Sequence, residues 1–224
     1  MSHQQPTLSI PKDKISEMPA AEFKGEIRVI DNAADARAAL RFLSKQPIVG
    51  FDTETRPSFR KGSHHTVALI QLSTADICFL FRINKIGFTE QLREFLSAES
   101  VMKIGLSTKD DFHGLNKLGE FQPAGFVELQ DFVHRFGIID ASLQRIYAII
   151  FGLRISKGQR LTNWEAPELT DAQQHYASLD AYACLHIYQT LQSGLFNPAE
   201  SPYILPAAPT KHTDFQADAR SVRP

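Results

Sequence analysis

Toward its C-terminal end the chain carries an aspartate where a helix should bury only apolar side chains. Ala172, Tyr176, Leu179, Ala183, Ile187 and Leu191 recur at helical spacing between Thr170 and about Ser193, and such a stripe marks the face a helix turns inward. Thr170 with Gln173 three residues later forms a capping box that fixes where the helix begins. Asp180 stands in the middle of the stripe. An unpaired carboxylate among apolar neighbours costs several kcal/mol. Any fold of this chain must therefore bring Asp180 a compensating cation, either a metal ion or an arginine, and the stripe itself supplies none.

A second acidic signal lies near the other end. The run PIVGFDTET starts as a buried strand, Ile48-Val49-Gly50-Phe51, and ends in charge. Residues two apart share one face of a strand, so Asp52 and Glu54 point the same way. Like charges side by side are tolerated when a cation sits between them or when one is protonated. From the pair alone, a solvated strand end fits as well as a cation site. Asp111 is the third candidate. Ser107 or Thr108 can cap a helix through TKDDFHGLNKLG that Gly119 stops. Asp111 borders its inward face of Phe112, Leu115 and Leu118. Taken singly, an acidic residue in a first helical turn is better explained by capping and the macrodipole.

The remaining elements follow from periodicity and breakers. NAADARAALRFLSKQ reads as a helix capped by Asn32. TVALIQLST and DICFLFRI form a hairpin, FTEQLREFLSAES a helix, VMKIGLS and FVELQ strands, and DFVHRF and SLQRIYAIIF helices, the last stopped by Gly152. A three-strand antiparallel meander followed by strands alternating with helices predicts an α/β mixed sheet, the later strands parallel, with helices on both faces. The folded domain is expected over 26–196. Residues 1–25 are polar and aperiodic and read as a tail or loosely docked arm. Residues 197–224, with Pro198, Pro202, Pro206 and Pro209, read as a Pro-rich tail.

Charge and composition narrow the functional classes. The formal net charge of -1 over 224 residues argues against tight, sequence-independent coating of a polyanion. It leaves room for local grip on one chain end. Cys78 and Cys184 have no second cysteine or histidine at zinc-ligand spacing and read as buried thiols. No apolar run approaches the roughly 20 residues of a membrane span, and the start MSHQQPTLSIPKDK lacks a secretory pattern. A cytoplasmic protein without a membrane partner is the expectation. Four carboxylates with oxygen-only donors suit two divalent cations, Mg²⁺ or Mn²⁺, rather than zinc. Two such ions can clamp both oxygens of an in-line phosphoryl displacement. Tyr176, one turn before Asp180, can orient or help deprotonate the attacking water.

Three motifs in order resemble the DEDD superfamily of 3′→5′ exonucleases, and within it the ribonuclease D and Werner-exonuclease-like branch. GFDTET is similar to the first motif, KIGLSTKDDFHGL to the second, and HYASLDAY to the third. The run SKGQRLTNWEAPELTDAQQHYASLDA is the most specific stretch. The resemblance implies a ribonuclease H-like fold, with Asp52, Glu54, Asp111 and Asp180 as metal ligands and Tyr176 as a catalytic residue. It also implies hydrolysis from a free 3′ end of DNA or RNA, single-stranded or frayed, that releases nucleoside 5′-monophosphates. A module that kept the fold, binds nucleic acid and lost catalysis is the alternative. The superfamily has a tyrosine subtype and a histidine subtype, and both Tyr176 and His175 are present. Four helical steps leave Tyr176 about 40° from Asp180, whereas five leave His175 about 140° away, so Tyr176 is assigned and His175 is read as a surface residue.

Thr55 at the end of the first motif, Lys157 and Arg160, and equally the loop from Arg56 to His65, could contact a substrate backbone, since phosphates are held mainly by Lys and Arg; ordinary solvated loops explain the two basic clusters as well. Arg154 is grouped with Lys157 and Arg160. Arg56, Arg60, Lys61, His64 and His65 form another basic loop with no acidic residue among them. Trp164 is read as a packing anchor. The family often carries an additional helical or helicase domain for which this chain has no room, so a protein partner that supplies processivity is expected.

Overall fold

The computed structural model describes residues 5–59, 62 and 64–206. Its strands are β1 (Glu26–Ile30), β2 (Ile48–Thr55), β3 (Val67–Ser73), β4 (Ile77–Arg82), β5 (Met102–Gly105) and β6 (Phe126–Glu128). Its helices are α1 (Lys12–Ser16), α2 (Ala33–Leu43), α3 (Ile83–Ile86), α4 (Glu90–Leu96), α5 (Thr108–Asn116), α6 (Leu129–His134), α7 (Leu143–Phe151) and α8 (Asp171–Gln192). One sheet runs β1-β4-β3-β2-β5-β6. The meander β2-β3-β4 is antiparallel, and β5 and β6 continue parallel from β2. This is the mixed sheet the sequence led us to expect, with one addition. β1 pairs parallel with β4 at the edge, where five residues alternating charge with Ile27 and Val29 were too short to stand out.

The two faces carry two cores. Phe51, Ile70, Phe79 and Phe81 turn toward Leu40, Leu92 and Leu115 of α2, α4 and α5. Leu69, Cys78, Leu80 and Ile104 turn toward α6, α7 and α8. Helix starts follow the expected chemistry: the Asn32 side chain accepts from the Asp35 amide, and both halves of the Thr170–Gln173 capping box are formed. Gly152 ends α7 at a positive φ of 65°. α8 is buried on more than a stripe, since Ala177, Ala181 and Leu185 are also covered, whereas Ala172 is exposed.

Gly50 explains how α8 lies so close to the sheet. A Cβ at Gly50 would stand 1.9 Å from the Ala181 carbonyl oxygen, so helix backbone rests on strand backbone there. The contact joins the residue two before Asp52 to the residue one after Asp180. Gly50→Ala should therefore push α8 off β2, with the cost of about 1–3 kcal/mol typical of overpacking. It should also lower activity more than its loss of thermal stability accounts for. Denaturant melts and hydrolysis rates below the melting transition check both; a wild-type rate in a destabilised variant would separate the contact from the site.

The N-terminal segment corrects an expectation. Within 1–25, read as a tail or loosely docked arm, Leu8, Ile10, Ile15 and Phe23 are at most 5% exposed. The Leu8 amide donates to Gly137 O at 2.7 Å, and the Ala21 amide to Arg154 O at 2.9 Å. The Ile10 amide donates to the buried Asp140 carboxylate, which also receives Arg145. Isolated apolar residues without a helix or strand period left no pattern, and tertiary pairing supplies the order. Residues 201–206 also dock: the Ser9 amide donates to Tyr203 O and the Leu205 amide to Thr7 O. The rest of the expected Pro-rich tail, 207–224, lies outside the described residues.

Candidate metal centre

The end of β2 and the middle of α8 meet over Gly50. Asp52, Glu54 and Asp180 each bring a carboxylate oxygen to within 4.8 Å of the others. Glu54 and Asp180 are buried at 8% and 7% exposure, and Asp52 stands half-buried beside them. Among the described residues no salt bridge involves Asp180, so the arginine that was the alternative to a metal is not what compensates it. One Asp180 oxygen is buried without a hydrogen-bond partner.

Asp111 arrives from the other side of the sheet. Thr53 alternates to the face opposite Asp52 and Glu54, and its hydroxyl donates to Asp111 Oδ1 at 2.5 Å. Asp111 is close enough for its charge to raise the pKa of both Asp52 and Glu54, yet it lies outside the tight trio. The capping explanation for Asp111 fails on a residue the sequence reading missed. The Glu128 carboxylate accepts from the amides of Ser107 and Thr108 and from the Thr108 hydroxyl, at 2.8 to 2.9 Å. Ser107 stands at the N-cap of α5 at a left-handed φ of 61°, but its side chain makes no capping hydrogen bond there. Glu128 sits on a neighbouring strand, so no local pattern could have named it.

Burial and mutual repulsion act together on these groups. Burial, then the charges of Asp180 and Asp111, push Glu54 up to about 9, with Arg160 opposing. Burial raises Asp180 to about 7 against a hydrogen bond from Tyr176 and the charge of Lys157. Burial raises Asp111 to about 7 against its bond from Thr53. Burial and three neighbouring carboxylates hold Asp52 well above the usual range. Buried oxygen donors that resist ionisation and lack a cation fit a hard divalent ion, which favours carboxylate oxygens and offsets their repulsion.

A cavity of about 400 Å³ opens on the cluster, lined by Asp52, Ser107, Lys157, Arg160, Tyr176 and Asp180 among others. That volume falls in the range of small-ligand sites. Lys157 and Arg160 are exposed at its wall. Arg154 is not with them: its backbone and Nε pair with the N-terminal segment at Pro19 and Met18. Thr55 is exposed at the strand end, just past an irregularity in the β2–β3 register. Trp164 is fully buried and its ring lies 6.1 Å from that of Tyr176, so it anchors the tyrosine. His175 is exposed and faces its own helix at Asp171 O. The basic loop after β2 is not free of acid in space, because Glu165 binds Arg56 and His65 at 3.2 and 3.0 Å.

Residues 27–195 match a family profile described as 3′-5′ exonuclease. The chain belongs to this family. Among curated 3′-5′ exonuclease relatives, the mouse bifunctional 3′-5′ exonuclease/ATP-dependent helicase WRN is 32% identical over 185 residues, 78% of this chain and 13% of that protein. The Aedes aegypti exonuclease mut-7 homolog is 23% identical over 197 residues, 77% of this chain and 27% of that protein. The chain thus spans about a quarter or less of these relatives' length. The crystal structure of the Aedes aegypti Nibbler EXO domain superposes with a TM-score of 0.70 at 22% identity, covering 81% of this chain and 97% of that one. Escherichia coli RNase D gives a TM-score of 0.67 at 22% identity, covering 75% of this chain and 44% of that one. The chain therefore lies in the ribonuclease D and Werner-exonuclease-like branch of the DEDD superfamily, and its sheet is ribonuclease H-like.

Proposed function

We propose that this chain hydrolyses DNA or RNA from a free 3′ end, one nucleoside 5′-monophosphate at a time, using two Mg²⁺ or Mn²⁺ ions. The observation that carries the reading is the convergence of Asp52, Glu54 and Asp180 within 4.8 Å, in a cavity whose wall also holds Lys157, Arg160 and Tyr176. Asp52, Glu54 and Asp180 would hold one ion, and Asp52 with Asp111 the other. Bound there, such ions supply a water activated at neutral pH and a counter-charge for the leaving oxygen. Burial, then the nearby carboxylates, push the Tyr176 phenol far up; at the cavity wall it can orient the attacking water or help deprotonate it. Thr55 at the strand end, with Lys157 and Arg160, engages the strand. A frayed or single-stranded end suits a cavity of this size, and a protein partner would supply processivity on long substrates.

The test uses 5′-labelled single-stranded DNA and RNA with Mg²⁺ or Mn²⁺, a chelator control, and an Asp52→Ala, Asp180→Ala double variant. The expected result is a ladder shortening from the 3′ end, lost with chelator and in the variant. Tight binding without cleavage would instead identify a nucleic-acid-binding module of the same fold. Lys157→Ala with Arg160→Ala should weaken binding most at low salt. It should reduce the slope of log affinity against log salt by about 1.4, the value for two single-strand phosphate contacts. A slope equal to wild type would remove both lysine and arginine from the strand's path.

A further inference from the structure

Gln71, in the middle of β3, is buried without a hydrogen bond. Its side chain is 0% exposed, and among the described residues neither its amide nitrogen nor its amide oxygen has a partner. A buried amide that makes none of its bonds costs free energy that an apolar side chain of the same size does not. Packing alone is therefore no reason for a glutamine here. Its place in the sheet tells what it faces. Leu69 packs with the α8 core and Ile70 with the opposite one, so alternation turns Gln71 back toward α8. On that face its direct neighbour on β2 is Asp52, and its direct neighbour on β4 is Leu80. Side chains directly opposite in an antiparallel pair stand about 5 Å apart at Cβ, within the reach of a glutamine.

The carboxylates of the cluster are unequally served. Asp111 receives the Thr53 hydroxyl, and Asp180 receives a hydrogen bond from Tyr176. The hydrogen bond that lowers the pKa of Asp52 comes from backbone, at Thr53. Near Gln71 the polar alternatives are few: Leu80 has no polar side-chain atom, and the Ser73 hydroxyl is committed to Thr74 O at 2.9 Å. We propose that Gln71 is a positioning residue of the metal centre, its amide donating to the Asp52 carboxylate when a divalent ion is held there. The proposal rests on the metal-binding part of the reading above. Carboxylates that ligate a metal are themselves hydrogen-bonded, and such outer partners fix the orientation of the ligand. Asp52 is the carboxylate shared by both ions in that reading, so its orientation bears on both.

The fold and the ion then make opposite demands on one side chain. Gln71→Met keeps the length and deletes the amide. In chelator it should melt about 3 °C higher than wild type, because a buried unpaired amide is gone. Its affinity for Mn²⁺ alone, measured by calorimetry on the full chain, should fall 10- to 100-fold, the usual loss for an outer partner of a metal ligand. Gln71→Leu should repeat both shifts. Leu80→Met, on the other side of Gln71, should bind Mn²⁺ as wild type does. Unchanged Mn²⁺ affinity in Gln71→Met and Gln71→Leu overturns the positioning role and leaves the ion site standing. A lower melting temperature in chelator for both variants shows an amide already satisfied within the fold, and overturns the role as well. If wild type binds no Mn²⁺, the metal centre and this role fall together. Mn²⁺ binding without cleavage of the labelled strands, with the two shifts present, strikes the exonuclease reading and supports the role of Gln71.

Discussion

Asp180→Asn is expected to abolish hydrolysis and, without metal, to make the protein more stable. The side chain keeps its size, but the variant cannot carry the charge that the site needs to hold a divalent ion. We expect at least a 10³-fold loss of rate, equivalent to about 4 kcal/mol of transition-state stabilisation. The opposite sign for stability comes from the same geometry. Asp180 is buried with an unpartnered oxygen, and its charge raises the pKa of Asp52 and Glu54. At pH 8, above its own pKa of about 7, the wild-type residue is a buried charge that Tyr176 and Lys157 answer only in part, and asparagine removes it. A melting temperature higher by on the order of 5 °C in chelator is expected, since each kcal/mol moves a domain of this size about 2–4 °C. A lower melting temperature, or substantial remaining activity, would show that Asp180 is a structural acid.

The second large effect is the pH dependence of stability with and without metal. Glu54 is raised to about 9 and Asp111 and Asp180 to about 7, whereas in the unfolded chain these groups titrate near 4. Between those values the folded state binds more protons than the unfolded state. The stability linked to them is therefore complete below about pH 4 and is lost as pH rises through about 7 and then about 9, at about 1.4 kcal/mol per pH unit for each proton involved. Metal-free protein should melt at progressively lower temperature from pH 6 to 9. Mg²⁺ or Mn²⁺ should reverse the trend, with a shift that grows with pH because the ligands must lose protons to bind. The difference between wild type and Asp180→Asn isolates the site from the other carboxylates. Parallel curves for the two, with no metal-induced shift at pH 8, would dissociate the cluster from ion binding.

Much of this site was written locally. Alternation along one strand gave Asp52 and Glu54 a common face, and a capping box with an apolar stripe gave Asp180 its inward direction. Helix geometry alone separated Tyr176 from His175, and the structure keeps the one at the cluster and the other in solvent. What the chain did not disclose depends on residues far apart in it. Glu128 takes over the start of α5 from a strand some 20 residues on, Thr53 claims Asp111 across the sheet, and Glu165 answers a basic loop that had no acid in its own sequence. β1 and the N-terminal segment were missed for a related reason. β1 alternates over too few residues to stand out, the N-terminal segment buries apolar side chains with no repeat of its own, and only the neighbours that cover them give them order.

The meeting of the two terminal segments has a consequence for how such a unit is deployed. Thr7 and Ser9 are hydrogen-bonded to Leu205 and Tyr203, so the polypeptide enters and leaves the fold at one spot. A unit with adjacent entry and exit can be spliced into a loop of another protein without pulling either apart. Inserted that way, the fold would ask its host for only a short gap between the two joining points.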